Sequence, residues 1–262
     1  MDIRLDGKSA VITGGSKGLG LAIAEEYAKS GADVAILARD PATLAEAKTR
    51  IAAGAAGRSK IAAISCDVAK ADAIRRAYDQ IMSEFGKIDI YVSNAGQSTH
   101  GPSEELTDEV WQADLDLKLF AQIRFCRLVF PQMKERRWGR IISVLNIGAK
   151  APGANGAPTA ISRAAQMAFT KTLSQEGAPY NVLANSLHVG IIVSDQIRRR
   201  YDHERPNVGF EQYVADAGKA VPLGRMGRAE EFAAVATFLA SDAASYVTGC
   251  AINVDGGRSP VV

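Results

Sequence analysis

Thr13-Gly14-Gly15-Ser16-Lys17-Gly18-Leu19-Gly20 lies between the β-branched run Ala10-Val11-Ile12-Thr13 and a stretch of helical period, Leu19 to Ser30. Glycines at such a junction let the backbone turn tightly and approach a pyrophosphate, whose charge the free N–H groups of a helix start attract. No Gly-Lys-Ser/Thr closes the loop, so it is not of the Walker type. A glycine turn without a ligand is the plainer alternative, and the flanking strand and helix weigh against it. The cofactor form rests on the end of the second strand, Ala35-Ile36-Leu37-Ala38-Arg39. A carboxylate there would hold a ribose 2′-hydroxyl and repel a 2′-phosphate. Ala38 stands in its place, and Lys17 and Arg39 supply two cations, which suit a phosphate by charge and by Arg's fork geometry. The expected cofactor is NADP(H), against the alternative of two solvated surface cations.

Short apolar runs alternate with helical stretches along the whole chain. Strands are expected at 10–13, 33–38, 61–66, 88–93, 140–145, 181–187 and 250–254. Helices are expected at 19–30, 41–53, 70–85, 108–135, 159–177 and 229–239. Strands recurring about every 25–30 residues, each followed by a helix, indicate βαβ units: an α/β fold with a doubly wound parallel sheet of about seven strands in one domain over residues 1–262. Residues 189–225 are the least regular and read as a lid or substrate loop.

Composition narrows the function class. Of 262 residues, 47% are hydrophobic, and 31 Lys and Arg balance 29 Asp and Glu for a net charge of +2. Nucleic-acid and membrane-surface partners need a concentrated positive excess, so neither is expected. Cys66, Cys126 and Cys250 are odd in number and unpaired in spacing, and His100, His188 and His203 are scattered. Neither a disulfide framework nor a metal site is read. The start of the chain has no apolar core of a signal peptide. The longest uncharged run, Gly177 to Ser194, is broken by Pro, Asn and Ser, so a cytoplasmic protein is expected.

Four motifs together resemble the short-chain dehydrogenase/reductase family, from Gly7 to Gly257. They are the glycine loop, Asp67-Val68 after the third strand, Asn94-Ala95-Gly96 after the fourth, and Asn253-Val254-Asp255-Gly256-Gly257 at the last. The resemblance implies a Rossmann-type domain. It implies cofactor contacts from Gly14, Ser16, Lys17, Gly18, Leu19, Gly20, Arg39, Asp67, Val68, Asn94, Ala95 and Gly96. It also implies a homotetramer or homodimer packed through 108–135 and 159–177, where Ala164, Ala165 and Ala168 allow close approach. After the sixth strand, Val189-Gly190-Ile191-Ile192-Val193-Ser194 keeps Gly190, Ile192 and Ser194 as expected cofactor contacts.

The family's Asn–Ser–Tyr–Lys catalytic set is replaced throughout. Its positions fall on Lys118, Asn146, Thr159 and Arg163, and the spacing from Asn146 to Thr159 keeps the family's interval. Neither Tyr180 nor Tyr201, followed four residues on by Ala184 and Arg205, is a displaced copy. A Thr hydroxyl is a far weaker acid than a phenol, and a guanidinium does not titrate near neutrality. Arg163 is expected to hold the cofactor ribose. Lys118, desolvated and beside Arg163, is the replacement acid, unless it is simply a helix residue paired with Asp114. His188 is a second candidate acid, with a packed strand-end residue as the stronger alternative. Arg198, Arg199, Arg200, His203 and Arg205 would receive an anionic small-molecule substrate, or form the wet face of a helix.

Three readings follow: an NADP(H)-dependent oxidoreductase with a rebuilt acid site for a carbonyl or similarly polarisable substrate, a catalytically silent NADP(H)-binding pseudoenzyme, and, ranked last, a lyase or dehalogenase on this fold.

Overall fold

The runs read as strands pair with one another, and the helical stretches cover them on both sides. A computed structural model describes residues 3–57, 59–204 and 207–262. In chain order the elements are β1 (Ser9–Thr13), α1 (Gly18–Lys29), β2 (Asp33–Ala38), α2 (Pro41–Gly54), β3 (Ile61–Ser65), α3 (Ala71–Phe85), β4 (Ile90–Ser93), β5 (His100–Gly101), α4 (Asp108–Leu115) and α5 (Ala121–Glu135). They continue as β6 (Gly139–Asn146), β7 (Ala157–Pro158), α6 (Thr159–Gly177), β8 (Val182–Val189), α7 (Asp195–Glu204), α8 (Phe210–Gly218), α9 (Ala229–Ala240) and β9 (Ala251–Val254).

Seven strands form one parallel sheet in the order β3-β2-β1-β4-β6-β8-β9. Every residue of β1 and β4 is buried, as expected for strands covered on both faces. Alternate side chains feed two cores. Ile12, Ile36 and Ile142 pack with Tyr27 of α1 and Phe232 of α9, whereas Val11, Leu37 and Ile141 pack with Ile81 of α3 and Phe125 of α5. The chain winds outward through β3 and returns to place β4 on the other side of β1. That reversal opens a crevice at the strands' C-terminal ends, where a doubly wound sheet binds its ligand.

Three features depart from the sequence reading. The single helix expected over 108–135 is divided by a π-helical turn at Asp116–Phe120, centred on Lys118. The Lys118 carbonyl there accepts from Gln166 Nε2 at 3.2 Å, a bond from α6 that satisfies backbone disturbed by the wider turn. The irregular stretch 189–225 contains α7 and α8. A two-stranded antiparallel ladder, β5 with β7, stands apart from the main sheet. No helix among the described residues is long and apolar enough to cross a membrane.

Candidate active site

The glycine loop is built by close approach. Gly14 has φ +66°, and a Cβ there would lie 3.0 Å from the Ala95 Cα and the Asn94 amide nitrogen. A Cβ on Gly20 would collide with the Gly14 carbonyl and Asn94 Nδ2. Asn94 stitches the loop to β4, its Nδ2 donating to the carbonyls of Thr13 (2.9 Å) and Gly14 (3.1 Å). Thr13 Oγ1 accepts in turn from the backbone N–H groups of Asn94 and Ala95. Lys17 caps α1 without a side-chain bond, so the first-turn amides of Gly18, Leu19 and Gly20 lack a helical acceptor, and Gly18 and Leu19 line the crevice. Gly18 has φ +56°, and a Cβ there would meet the Ser194 Cβ at 3.9 Å, an ordinary contact.

Two cavities meet at this loop. One of ≈ 310 Å³ is lined by Gly14, Ser16, Lys17, Ala38, Arg39, Asp67, Val68, Ala95 and Gly96, so Lys17 and Arg39 do converge. Arg39 is presented there because Asp40 caps α2, accepting from the N–H groups of Ala42 at 2.8 Å and Thr43 at 3.2 Å, with Pro41 in the first turn. The other, of ≈ 230 Å³, continues past Gly14, Lys17, Ala95 and Gly96 to Asn94, Arg163, Val189 and Ser194. A Cβ on Gly190 would lie 2.7 Å from the Asp255 Cα, and the Ile192 side chain is buried beside Gly227.

Of the four positions read from the motif spacing, Lys118 and Thr159 meet directly, and both are buried, not open to the cleft. Lys118 Nζ pairs with Asp114 and donates to Thr159 Oγ1 at 2.9 Å, and both Lys118 and Asp114 side chains are enclosed. Asp114 also accepts from Ser162 Oγ at 2.6 Å, and Thr159 Oγ1 from the Thr99 N–H at 2.9 Å. Burial, helped by Arg163, pushes Lys118 down to about 8, and Asp114 opposes that shift. The pairing that spacing had offered as the alternative is the one observed. The ammonium is a charge held behind Thr159, not a donor turned toward the crevice. Arg163 Nη1 donates to the Val144 carbonyl at 2.9 Å, while its Nε is buried with no partner. Asn146 Oδ1 is likewise buried and unpartnered.

His188 is fully buried, its Nδ1 3.1 Å from the Asn146 carbonyl and its Nε2 3.0 Å from Ser186 Oγ. Burial holds it down to about 4, with Lys150 and Arg163 adding to the effect and the Asn146 carbonyl opposing it. Below a pH of about 6.5 the unfolded chain therefore binds a proton that the folded one refuses until about 4. Acidification from pH 7 to 4.5 should cost about 2–3 kcal/mol of stability from this residue, read as a shift in urea midpoint. His188→Gln should flatten that acid limb; an unchanged limb would contradict the assignment.

The arginine run lies on α7, where Arg198 stacks 3.6 Å over the Phe210 ring and Arg200 is exposed. Arg205 lies outside the described residues, as does the Arg199 side chain. Sequence reasoning passed over Thr99, His100 and Ser162. The first two reach the site only through the β5–β7 ladder, which sets His100 opposite Pro158, and a two-residue strand carries no periodic signal. Ser162 sits one helical turn after Thr159, a spacing that could have drawn attention to it.

A family model described as enoyl-(acyl carrier protein) reductase matches residues 14–259. A 3-oxoacyl-(acyl-carrier-protein) reductase of Chlamydia pneumoniae is 34% identical over 257 residues, 98% of this chain and 99% of that protein. A D-threitol dehydrogenase of Mycolicibacterium smegmatis is 32% identical, over 98% of this chain and 94% of that one. Among solved structures, L-sorbose reductase of Gluconobacter frateurii, complexed with NADPH and L-sorbose, superposes with a TM-score of 0.93 at 34% identity, over 100% of both chains.

Proposed function

The chain belongs to the short-chain dehydrogenase/reductase family, and from that premise we propose that it is an NADP(H)-dependent oxidoreductase acting on a carbonyl or similarly polarisable small molecule. The observation that carries this reading is the convergence of the uncapped α1 amides, Lys17 and Arg39 on one crevice that runs on to Arg163. A dinucleotide fits these residues: the cavity lined by Gly14, Lys17 and Gly18 would take a pyrophosphate against backbone N–H groups, and the two cations would meet a 2′-phosphate. Asp67 and Val68 would hold the adenine, Arg163 the nicotinamide ribose, and Asn94-Ala95-Gly96 the wall between them. The bound cofactor supplies the hydride; the chain orients both reactants, excludes water and manages charge. Asn146, at the end of β6, would steady a substrate oxygen through its side-chain amide N–H. The Asp114–Lys118 pair orders Thr159 from behind.

Fluorescence titration tests the cofactor form. NADPH should bind at least about tenfold more tightly than NADH, and Arg39→Asp should abolish that preference. Equal affinities in the unaltered protein would refute the assignment. The enclosure of Lys118 and Thr159 favours a second reading, a nucleotide-binding protein without turnover. NADPH binding with no reduction across a broad carbonyl panel would support it. Assembly as a homotetramer or homodimer through α5 and α6 belongs to the same proposal; Ile161, 49% exposed, and exposed Ala168 lie on α6.

A further inference from the structure

We propose that His100 is the proton donor of the site in reduction, and the acceptor in the reverse direction, an assignment that rests on the oxidoreductase reading above. The residue at the family's acid position is a Thr whose hydroxyl is sealed, and the adjacent ammonium is sealed with it. His100 is held beside them by backbone. β5 runs antiparallel to β7, His100 pairs with Pro158, and the next residue after Pro158 is Thr159. The N–H of Thr99 donates to Thr159 Oγ1 at 2.9 Å, and the N–H of Gly101 to the Asn155 carbonyl at 3.2 Å, so the ladder is pinned on either side of His100. Its side chain is exposed, which lets a spent imidazole recover its proton from solvent.

The charged groups whose fields reach this ring come from several elements: Asp114 of α4, Lys118 of the π turn, Arg163 of α6 and Arg200 of α7. Asp114 is committed to Lys118, so the field at the ring is positive. Partial burial, then Lys118 and Arg200, hold His100 below the ordinary histidine range, while Asp114 opposes. An imidazolium in that field is a stronger acid than a free one, and it exists in quantity only on the acid side of neutrality. In reduction the carbonyl carbon gains the hydride, the π pair of the C=O bond moves to oxygen, and that oxygen takes the ring N–H proton. The products are an alcohol and a neutral imidazole. A developing alkoxide is also stabilised by the same positive field.

The test measures NADPH-dependent reduction of a ketone panel from pH 5 to 8 in the unaltered protein and in His100→Gln. NADPH affinity is followed by fluorescence, and the His100 ring is titrated by NMR. In the unaltered protein kcat should rise as pH falls, with a midpoint below about 6.5, and the ring should titrate in the same range. His100→Gln should remove that limb and lower kcat at pH 6 by roughly 10²-fold, with NADPH affinity changed less than about threefold. A pH limb retained in His100→Gln, a ring that titrates at the ordinary value, or tight NADPH binding without turnover each overturns the donor assignment while leaving cofactor binding intact. Failure to bind NADPH overturns the oxidoreductase reading itself, and the donor with it.

Discussion

Lys118→Met should lower the melting temperature by about 10 °C while NADPH affinity is retained. The ammonium and the Asp114 carboxylate have 0% and 1% of their side-chain surface exposed, so neither can turn to water when its partner is lost. Removing Lys118 leaves Asp114 with the Ser162 hydroxyl, a neutral donor to a buried charge. Breaking a buried pair from one side costs about 3–5 kcal/mol, because the surviving charge stays desolvated. For a chain of this size each kcal/mol is about 2–4 °C, which gives the expected drop. Asp114→Asn together with Lys118→Met removes both charges and should recover most of the loss, since Asn can still accept from Ser162. Calorimetry on the three variants decides the point. A single variant within about 2 °C of the parent would mean that the pair is solvated, and Lys118 would regain its standing as a direct acid.

The two halves of the site differ in how far the sequence displays them, and the reason is contact distance along the chain. The glycine loop, Lys17 and the α1 start lie within eight residues, and their strand–turn–helix context is local. Arg39 needs only the end of β2, whose register against β1 follows from two buried runs. The acid half is tertiary. Lys118 reaches Thr159 across 41 residues, and Thr99 reaches it across 60. Motif spacing singled out Lys118, Asn146, Thr159 and Arg163. It could not show that Lys118 would turn inward to Asp114, because the i,i+4 spacing fits both a solvated pair and a buried one. The π turn that carries Lys118 leaves no mark in apolar periodicity. In residues 189–225, α7 is offered only as the wet face of a helix, since Arg198, Arg199, Arg200, Asp202 and His203 leave too few apolar positions for a stripe; α8 is passed over although Phe210, Tyr213, Val214 and Ala217 keep helical spacing.

Rebuilding the acid position should then require more than the acid. Thr159→Tyr alone places a phenol where Lys118 Nζ already sits 2.9 Å from the hydroxyl, and overpacking of this kind costs about 1–3 kcal/mol. Asp114→Asn and Lys118→Asn, made together, clear the space without orphaning a charge. Arg163→Lys then provides an ammonium able to approach a phenolate, which Arg163, tied to the Val144 carbonyl, is not positioned to do. The four-residue variant is expected to raise ketone reduction by NADPH roughly 10²–10⁴-fold at pH 8, the ordinary scale of a positioned general acid. The gain should shrink as pH falls, because a growing fraction of the parent's His100 is then protonated and the added phenol supplies a step that is less scarce. A variant that keeps the parent's circular dichroism and NADPH affinity but reduces no ketone would show that the deficit lies in the substrate walls, not in the proton donor. The nucleotide-binding reading would then account for the intact crevice better than an oxidoreductase does.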